Sequence, residues 1–382
     1  MKIVFNRQAV LSATAPLMCA TAGKSPLPAS KGIHIDAKEE GLCTLTTYDL
    51  VEKGVQTTIP AKVEEPGCFV INAQKFVQTI RVMEGETVTL SVNEKLGAEI
   101  VSANSSHKMN ALAGADFPEI PRLTSLNGFK IKQSVLKEML SKIMYAMGVN
   151  DQRPVLNGCY FKIAENTLHL ISCDSFKLAK CNVNTEIDAF SERGYSDFSF
   201  ILPCKTVNEL YRMLDTDEQE TVTVYTSRKN IVFDLDDMIF FSRLIDGEYI
   251  DYNRIIVTTH RITVELDRAV LIGALERAAL VTEERIAGSV RSHVKLSVEG
   301  DYLKISATST AGSTYEELLI DHEGNDLVIA FNNRYLIDSL RSCTADRVRL
   351  SMSSALSSIN IEPAEQDENR ELFLLLPVRM KD

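Results

Sequence analysis

Residues 133–144, QSVLKEMLSKIM, decide the fold, because the chain repeats their pattern at two other places: QAVL stands at 8–11 and RAVL at 268–271. In the middle copy the apolar positions are Val135, Leu136, Met139, Leu140, Ile143 and Met144; in the last they are Val270, Leu271, Ala274, Leu275, Ala278 and Ala279. Recurrence at i, i+1, i+4, i+5, i+8 and i+9 is one stripe of an amphipathic helix. The first copy offers Val10, Leu11, Thr14, Ala15, Met18 and Cys19, with Pro16 removing a backbone donor and predicting a kink.

The register persists beyond the helix. Asp49 in TLTTYD precedes Asp174 in HLISCD by 125 residues, the spacing of Val10 from Val135. A further 135 residues, the spacing of Val135 from Val270, leads to Ser309 in the alternating segment KISATS. A second helical segment follows in each copy, at 72–83, 203–214 and 332–343, and behind it a strand: ETVTL from 86, ETVTV from 220, DRVRL from 346. Self-similarity of this kind sets the architecture before any local reading does. The 382 residues therefore divide into three copies of roughly 127, each an α+β domain with two helices packed on antiparallel sheet. Proline- and turn-rich stretches at 116–128 and 251–261 place the boundaries at 1–125, 126–256 and 257–382. Three such domains in a row leave two strand edges unpaired, and a second copy of the chain closing a ring would remove both.

Composition excludes several classes. With 45% hydrophobic and 24% charged residues, the chain is of ordinary globular type, and no apolar run approaches the roughly 20 residues of a spanning helix. The eight cysteines form no C-x-x-C pair and no metal-ligand spacing, so no metal and no cofactor is expected. Nucleophile-elbow, zinc-protease, phosphate-loop and dinucleotide signatures are all missing, which argues against an enzyme and leaves no catalytic residue to name. Lys2 and Arg7 ahead of AVLSATAPLMCATA imitate a short secretory leader. The rival reading built on that resemblance is an exported three-repeat protein that binds a ligand or surface and pairs its cysteines.

A formal charge of −11 opposes nucleic-acid binding unless the positive charge is segregated. It is: the six helical segments together carry +7, leaving −18 on strands and loops. Lys75 and Arg81, Lys205 and Arg212, and Arg334 and Arg341 recur at spacings of six or seven, nearly one helical face, and Lys142 and Arg277 occupy equivalent places in their copies. For any one of these a solvated helix face is the ordinary reading. Recurrence in every copy suits a polyanion held against the helices and repelled elsewhere.

At this point the whole chain resembles the bacterial sliding clamp family, the beta subunit of DNA polymerase III. The resemblance rests on MKI at the start, KSPLP at 24–28, DFP at 116–118, RPVLNG at 153–158, DSFKLA at 174–179, DGEYIDYNR at 246–254, FNNRYL at 331–336 and LLPVRM at 375–380. It implies half of a closed six-domain ring, a cytoplasmic, non-catalytic homodimer that a clamp loader opens and closes on double-stranded DNA without sequence preference. Retention would come from topology, so individual phosphate contacts can stay weak. The DNA contacts implied are Lys24, Asn150 and Arg153 in loops, with Lys75, Arg81, Lys142, Lys205, Arg212, Arg277 and Arg341 on the helices.

The resemblance also implies a hydrophobic cleft for short linear peptides of the polymerase III alpha subunit, the clamp loader, other polymerases and repair proteins. From the second domain come Leu156, Cys173, Ser175, Phe176, Lys177, Leu178, Ile250, Arg254 and Ile255. The third supplies Asn332, Tyr335, Leu356 and Ser358, and the C-terminal stretch adds Leu374, Leu376, Pro377, Val378, Arg379 and Met380. Ser175–Phe176 replaces a common Gly-His pair and Ile250 a common Pro, so the pocket shape departs from the family's usual one. Candidates for the dimer interface are Met83, His107, Leu280 and Val281.

Overall fold

The computed structural model describes the chain except residues 24, 26, 38–40, 122–126, 165–166, 185–186, 192–196, 283, 287–288, 292, 310–311, 367–369 and 381–382. Among the described residues there are six α-helices: α1 (Arg7–Leu17), α2 (Ala73–Val82), α3 (Gln133–Ile143), α4 (Cys204–Met213), α5 (Arg268–Thr282) and α6 (Asn333–Ser342). Each predicted helical segment holds one. Side-chain oxygens cap four helix starts by accepting a backbone N–H three residues on: Asn6 from Ala9 at 3.0 Å, Asn72 from Lys75 at 3.0 Å, Asp267 from Val270 at 2.8 Å and Asn332 from Tyr335 at 3.2 Å.

The threefold repeat is visible bond by bond. The first N–H of α1, α3 and α5 donates to the same place in its own copy: Arg7 to the Glu86 carbonyl, Gln133 to Glu220 and Arg268 to Asp346, at 2.8, 2.9 and 2.8 Å. Just before each of these helices lies a strand, Lys2–Asn6, Asn127–Lys132 or Ile262–Asp267, paired antiparallel with Thr87–Val92, Thr221–Thr226 or Arg347–Met352. Asp49 and Asp174 close equivalent turns, accepting N–H bonds from Val51, Glu52 and Lys53 and from Phe176 and Lys177.

Burial corrects the helical register by one residue. Val10, Thr14 and Leu17 are buried in α1; the positions buried in the same sense are Leu136, Leu140 and Ile143 in α3 and Leu271, Leu275 and Ala278 in α5. Val10 therefore matches Leu136, not Val135, and Val270 is 52% exposed. The 125-residue spacing is correct for the strands but becomes 126 within the first helix, because the second copy has one residue fewer between its helix and its aspartate turn.

Pro16 lies in the last turn of α1, and the chain then tightens into a 3-10 turn, Met18–Ala20. Proline is not the cause, since α3 has none and passes into the equivalent 3-10 turn, Met144–Ala146. What the two share is a hydroxyl: Thr47 donates to the Leu17 carbonyl at 2.8 Å and Ser172 to the Ile143 carbonyl at 2.5 Å. Each hydroxyl takes a carbonyl that ends the α-ladder. The third copy has Ala307 at this place, and α5 continues to Thr282.

The chain packs as two compact units, residues 1–134 with 188–195 and 208–244, and residues 135–187 with 196–207 and 245–382. In the first, a 14-stranded sheet carries strands of both the first and the middle repeat, joined where Met238–Arg243 pairs with Lys53–Pro60. In the second, a nine-stranded sheet carries strands of the middle and last repeats, joined where Lys177–Val183 pairs with Glu371–Leu375, and a four-stranded and a two-stranded sheet lie in the same unit. The middle repeat is thus shared between units that each hold one continuous inter-repeat sheet. The strand Lys2–Asn6 has partners on both sides and buries Ile3 and Phe5, so residues 2–17, which imitate a leader, form core strand and helix. None of the eight cysteines forms a disulfide, so the cysteine pairing that the exported reading needs is not supported.

Candidate nucleic-acid and peptide-binding sites

The basic helical residues fall into two groups. Lys75 and Arg81 on α2 and Lys205 on α4 are exposed and, among the described residues, have no carboxylate within ion-pair distance. The others are engaged. Arg212 sits 3.4 Å from Glu209, Arg341 2.6 Å from Glu276, and Arg277 grips Glu316 with two bonds of 2.7 Å. Arg81, Arg212 and Arg341 are each the ninth residue of their helices, where a cation also suits the negative end of the helix dipole.

Lys142 differs in kind. Its side chain is 12% exposed, and its ammonium lies 2.6 Å from Glu138 and 2.7 Å from Glu371, itself 9% exposed. Burial pulls its pKa down, but the bonds to the two carboxylates outweigh that and hold it above the ordinary value. Lys142 is therefore a structural cation that ties α3 to the last strand. In the loop, Arg153 donates to Asp151 and, at 2.9 Å, to the Ser175 hydroxyl, while Asn150 adopts a left-handed φ of 56°. Lys24 lies outside the described residues.

The peptide-cleft residues lie in the second unit and separate into floor, wall and rim. The floor is a buried cluster of Leu156, Ile171, Cys173, Leu178, Ile201, Tyr249 and Leu374, with Ile250, Tyr252 and Ile256 packed against it. Leu178 faces Leu374 across the strand pair that joins the middle and last repeats. Burial, helped by Asp174, pushes the Cys173 thiol up to about 11, so it serves packing and not chemistry. The sequence missed Ile171, Ile201 and Tyr249; Tyr249 lies inside the motif DGEYIDYNR, but its place in the floor depends on stacking at 4.9 Å with Tyr160.

Above this floor the turn at Asp174 presents the side chains that a partner could touch. The Asp174 carboxylate accepts the N–H groups of Phe176 and Lys177 at 2.7 and 2.8 Å, which leaves Phe176 56% exposed. Lys177 is turned inward, paired to Asp174 and 4.6 Å above the Tyr335 ring, whose centroid is 6.2 Å from that of Phe176. The C-terminal segment is stapled alongside: the Leu376 N–H donates to the Phe176 carbonyl at 2.8 Å and the Val378 N–H to the Ala330 carbonyl at 2.7 Å. Leu376, Met380, Ile255 and Leu356 are exposed at 42%, 47%, 38% and 74%. Arg254 is exposed beside Asp251, Pro377 and Arg379 lie along the stapled segment, Ser358 is buried, and Asn332 is occupied as the α6 cap.

Among the strand edges without a partner in the described residues, two lie on strands of the first and last repeats. Gly312–Leu319 pairs only with Tyr302–Ser309, leaving its outer edge without a partner among the described residues and exposing Tyr315 and Leu319. Residues 105–110 pair with Gly97–Ser102 on one side, whereas on the other the pairing with Phe69–Ile71 begins only at residue 111. Leu280, 85% exposed, lies on α5, which packs against the first of these strands; Val281 is half-buried. His107 is exposed on the second strand, lining a cleft with Val82 of α2. Met83, at 3% exposure, is core and offers no surface to a partner.

Three domains of this kind, with two helices and antiparallel sheet apiece, are the DNA sliding clamp fold. Family models for the DNA polymerase III beta subunit match in succession: N-terminal domain over residues 1–121, central domain over 130–251 and C-terminal domain over 253–379. The chain belongs to the DNA polymerase III beta subunit family. It is 28% identical to the beta sliding clamp of Staphylococcus aureus over 389 aligned positions that cover 99% of both chains. The DNA polymerase sliding clamp of Bacillus subtilis superposes with a TM-score of 0.91 at 25% identity, covering both chains fully. A DNA polymerase III beta subunit from Eubacterium rectale gives 0.90 at 24% identity, likewise over the full length of both, a likeness of fold.

Proposed function

We propose that the protein works as a homodimeric ring that encircles duplex DNA and tethers a replicative polymerase, with no catalytic step of its own. The observation that carries this reading is that a strand of the first repeat and a strand of the last each present an open edge. Edges left unpaired invite another strand, and two copies joined head to tail would satisfy both at once. Lys108 stands on one strand and Glu317 on the other, opposite charges that suit such a pairing. His107, Leu280 and Val281 belong to this interface, and the boundaries 1–125, 126–256 and 257–382 give the ring its six domains.

DNA is held weakly and without sequence preference by Lys75, Arg81 and Lys205, with support from Arg212, Arg277, Arg341, Asn150, Arg153 and Lys24. Lys142 contributes only by holding α3 in place. The floor and rim around Phe176, Leu376 and Met380 receive short peptides of the polymerase III alpha subunit, the clamp loader and repair proteins, since a concave apolar patch with a few polar groups at its edge suits such anchors. The setting is the cytoplasm, where the chromosome is copied.

Loading onto nicked circular DNA with a clamp loader and ATP, followed by linearisation of the circle, tests the reading. Release on linearisation is expected of a topological link. Binding that survives linearisation would be ordinary adhesion and would overturn the proposal.

A further inference from the structure

A cavity of about 930 Å3 opens in the first unit, outside every site described above. Its wall includes His34, Asp36 and Cys68 together with Phe117 and Ile120. Strands Gly32–Ala37 and Gly67–Asn72 are paired so that Asp36 stands opposite Cys68, with His34 two residues along on the same face. The Cys68 sulfur lies 2.9 Å from His34 Nε2, and the His34 ring stacks on Phe117 at 4.9 Å, which fixes its plane. Residue 114 must be glycine for this arrangement, because a Cβ there would stand 2.2 Å from the Cys68 sulfur.

Six of the other thiols are built differently. Burial raises Cys19, Cys173 and Cys343 to about 11 and Cys43 and Cys181 to about 12, and lifts Cys159 well above the ordinary thiol. Cys68 is half-buried, open to a cavity, and in contact with a base. A nucleophile within hydrogen-bond reach of an oriented imidazole is the arrangement that activates a thiol. Proton transfer to His34 during attack is the step that this geometry allows.

We propose that Cys68 is a site of reversible S-thiolation by low-molecular-weight disulfides, with His34 accepting the thiol proton. The Cys68 sulfur attacks one sulfur of the disulfide, the new S–S bond forms as the old one breaks, and the departing thiolate takes the proton from His34 and leaves as a thiol. The disulfide is the oxidant, one mixed disulfide and one free thiol are the products, and a reducing thiol reverses the reaction. A cavity of this size accommodates an adduct of tripeptide dimensions.

The test incubates the reduced full-length protein with oxidised glutathione at neutral pH, quenches with acid, and locates adducts by intact mass and peptide mapping. One dithiothreitol-reversible adduct per chain, at Cys68, is expected to form first. His34→Gln should slow it about 100-fold, the lower end for a lost general base, without changing the rate at Cys204. Cys204, half-buried at the start of α4, is the internal competitor. Modification of Cys204 as fast as Cys68 in the unaltered protein, or an undiminished rate at Cys68 in a folded His34→Gln protein, would overturn the assignment. The first comparison needs no variant and decides the matter if the substituted chain does not fold.

Discussion

Replacing Lys142 with Ala separates a structural cation from a DNA-binding one. The substitution leaves Glu371, 9% exposed, with hydrogen bonds from Thr344 but no counter-ion. Removing one partner of a buried pair costs about 3 kcal/mol, the lower end of the usual range, because Glu371 keeps Thr344. The bond to the 58% exposed Glu138 adds little. Native-state hydrogen exchange of the amides in Glu371–Leu375 reads the loss locally, independent of how cooperatively the whole chain unfolds. A cost of about 3 kcal/mol accelerates exchange about 150-fold. Since the folded pKa of Lys142 is raised, the pair is intact below the ordinary 10.5 and is lost only as pH rises through the folded value. The salt dependence of DNA affinity should not change in Lys142→Ala, whereas Lys205→Ala should lower its slope by about 0.9. Unchanged protection in the last strand, or a reduced salt slope for Lys142→Ala, would refute the reasoning.

Three further outcomes are expected. Glu316→Gln releases Arg277 from its carboxylate and should steepen the salt dependence of DNA binding by about one phosphate contact; an unaltered slope would show that Arg277 does not face DNA. The Arg277 hydrogen bonds hold the Glu316 carboxyl below its ordinary 4.5, so in the unaltered protein this pair is present above 4.5 and is lost as pH falls through the lower folded value. Phe176→Ala should weaken binding of a fluorescent linear peptide by about 1–2 kcal/mol, and truncation before Pro377 should abolish it while sedimentation still shows a dimer; loss of the dimer instead would misplace the cleft. Burial first, and then Lys180 and Lys162, depress His169 below its ordinary 6.5, so the unfolded chain binds the extra proton and stability falls as pH drops from 6.5 through the folded value. His169→Gln should flatten that limb of a stability–pH profile measured by denaturant midpoint.

Much of the fold was legible because its determinants are local and repeated. The stripe at 133–144, the asparagine and aspartate caps and the alternating strands each act within a few residues, so three copies announce three helix pairs and their sheets. Register within the first helix was not legible to the residue, since a one-residue difference in a connecting segment leaves the apolar pattern intact and only burial distinguishes Leu136 from Val135. The cleft was legible in membership, through the family's motifs, but not in depth. Leu156, Leu178 and Leu374 turn out to be floor and Phe176, Leu356 and Met380 rim, because exposure depends on neighbours far along the chain.

Charge followed the same division. The sequence alone determined that the helices are cationic within an acidic chain, a sum that needs no coordinates. Which cations are available was decided by tertiary structure, since the carboxylates that engage Lys142, Arg277 and Arg341 come from residues 371, 316 and 276, placed beside them by strand pairing and helix packing. The same holds for Cys68 and His34, 34 residues apart and 2.9 Å from contact to contact. Periodicity reports which face of an element is apolar, but a bond between side chains depends on the register between elements, and that exists only once the sheet has formed.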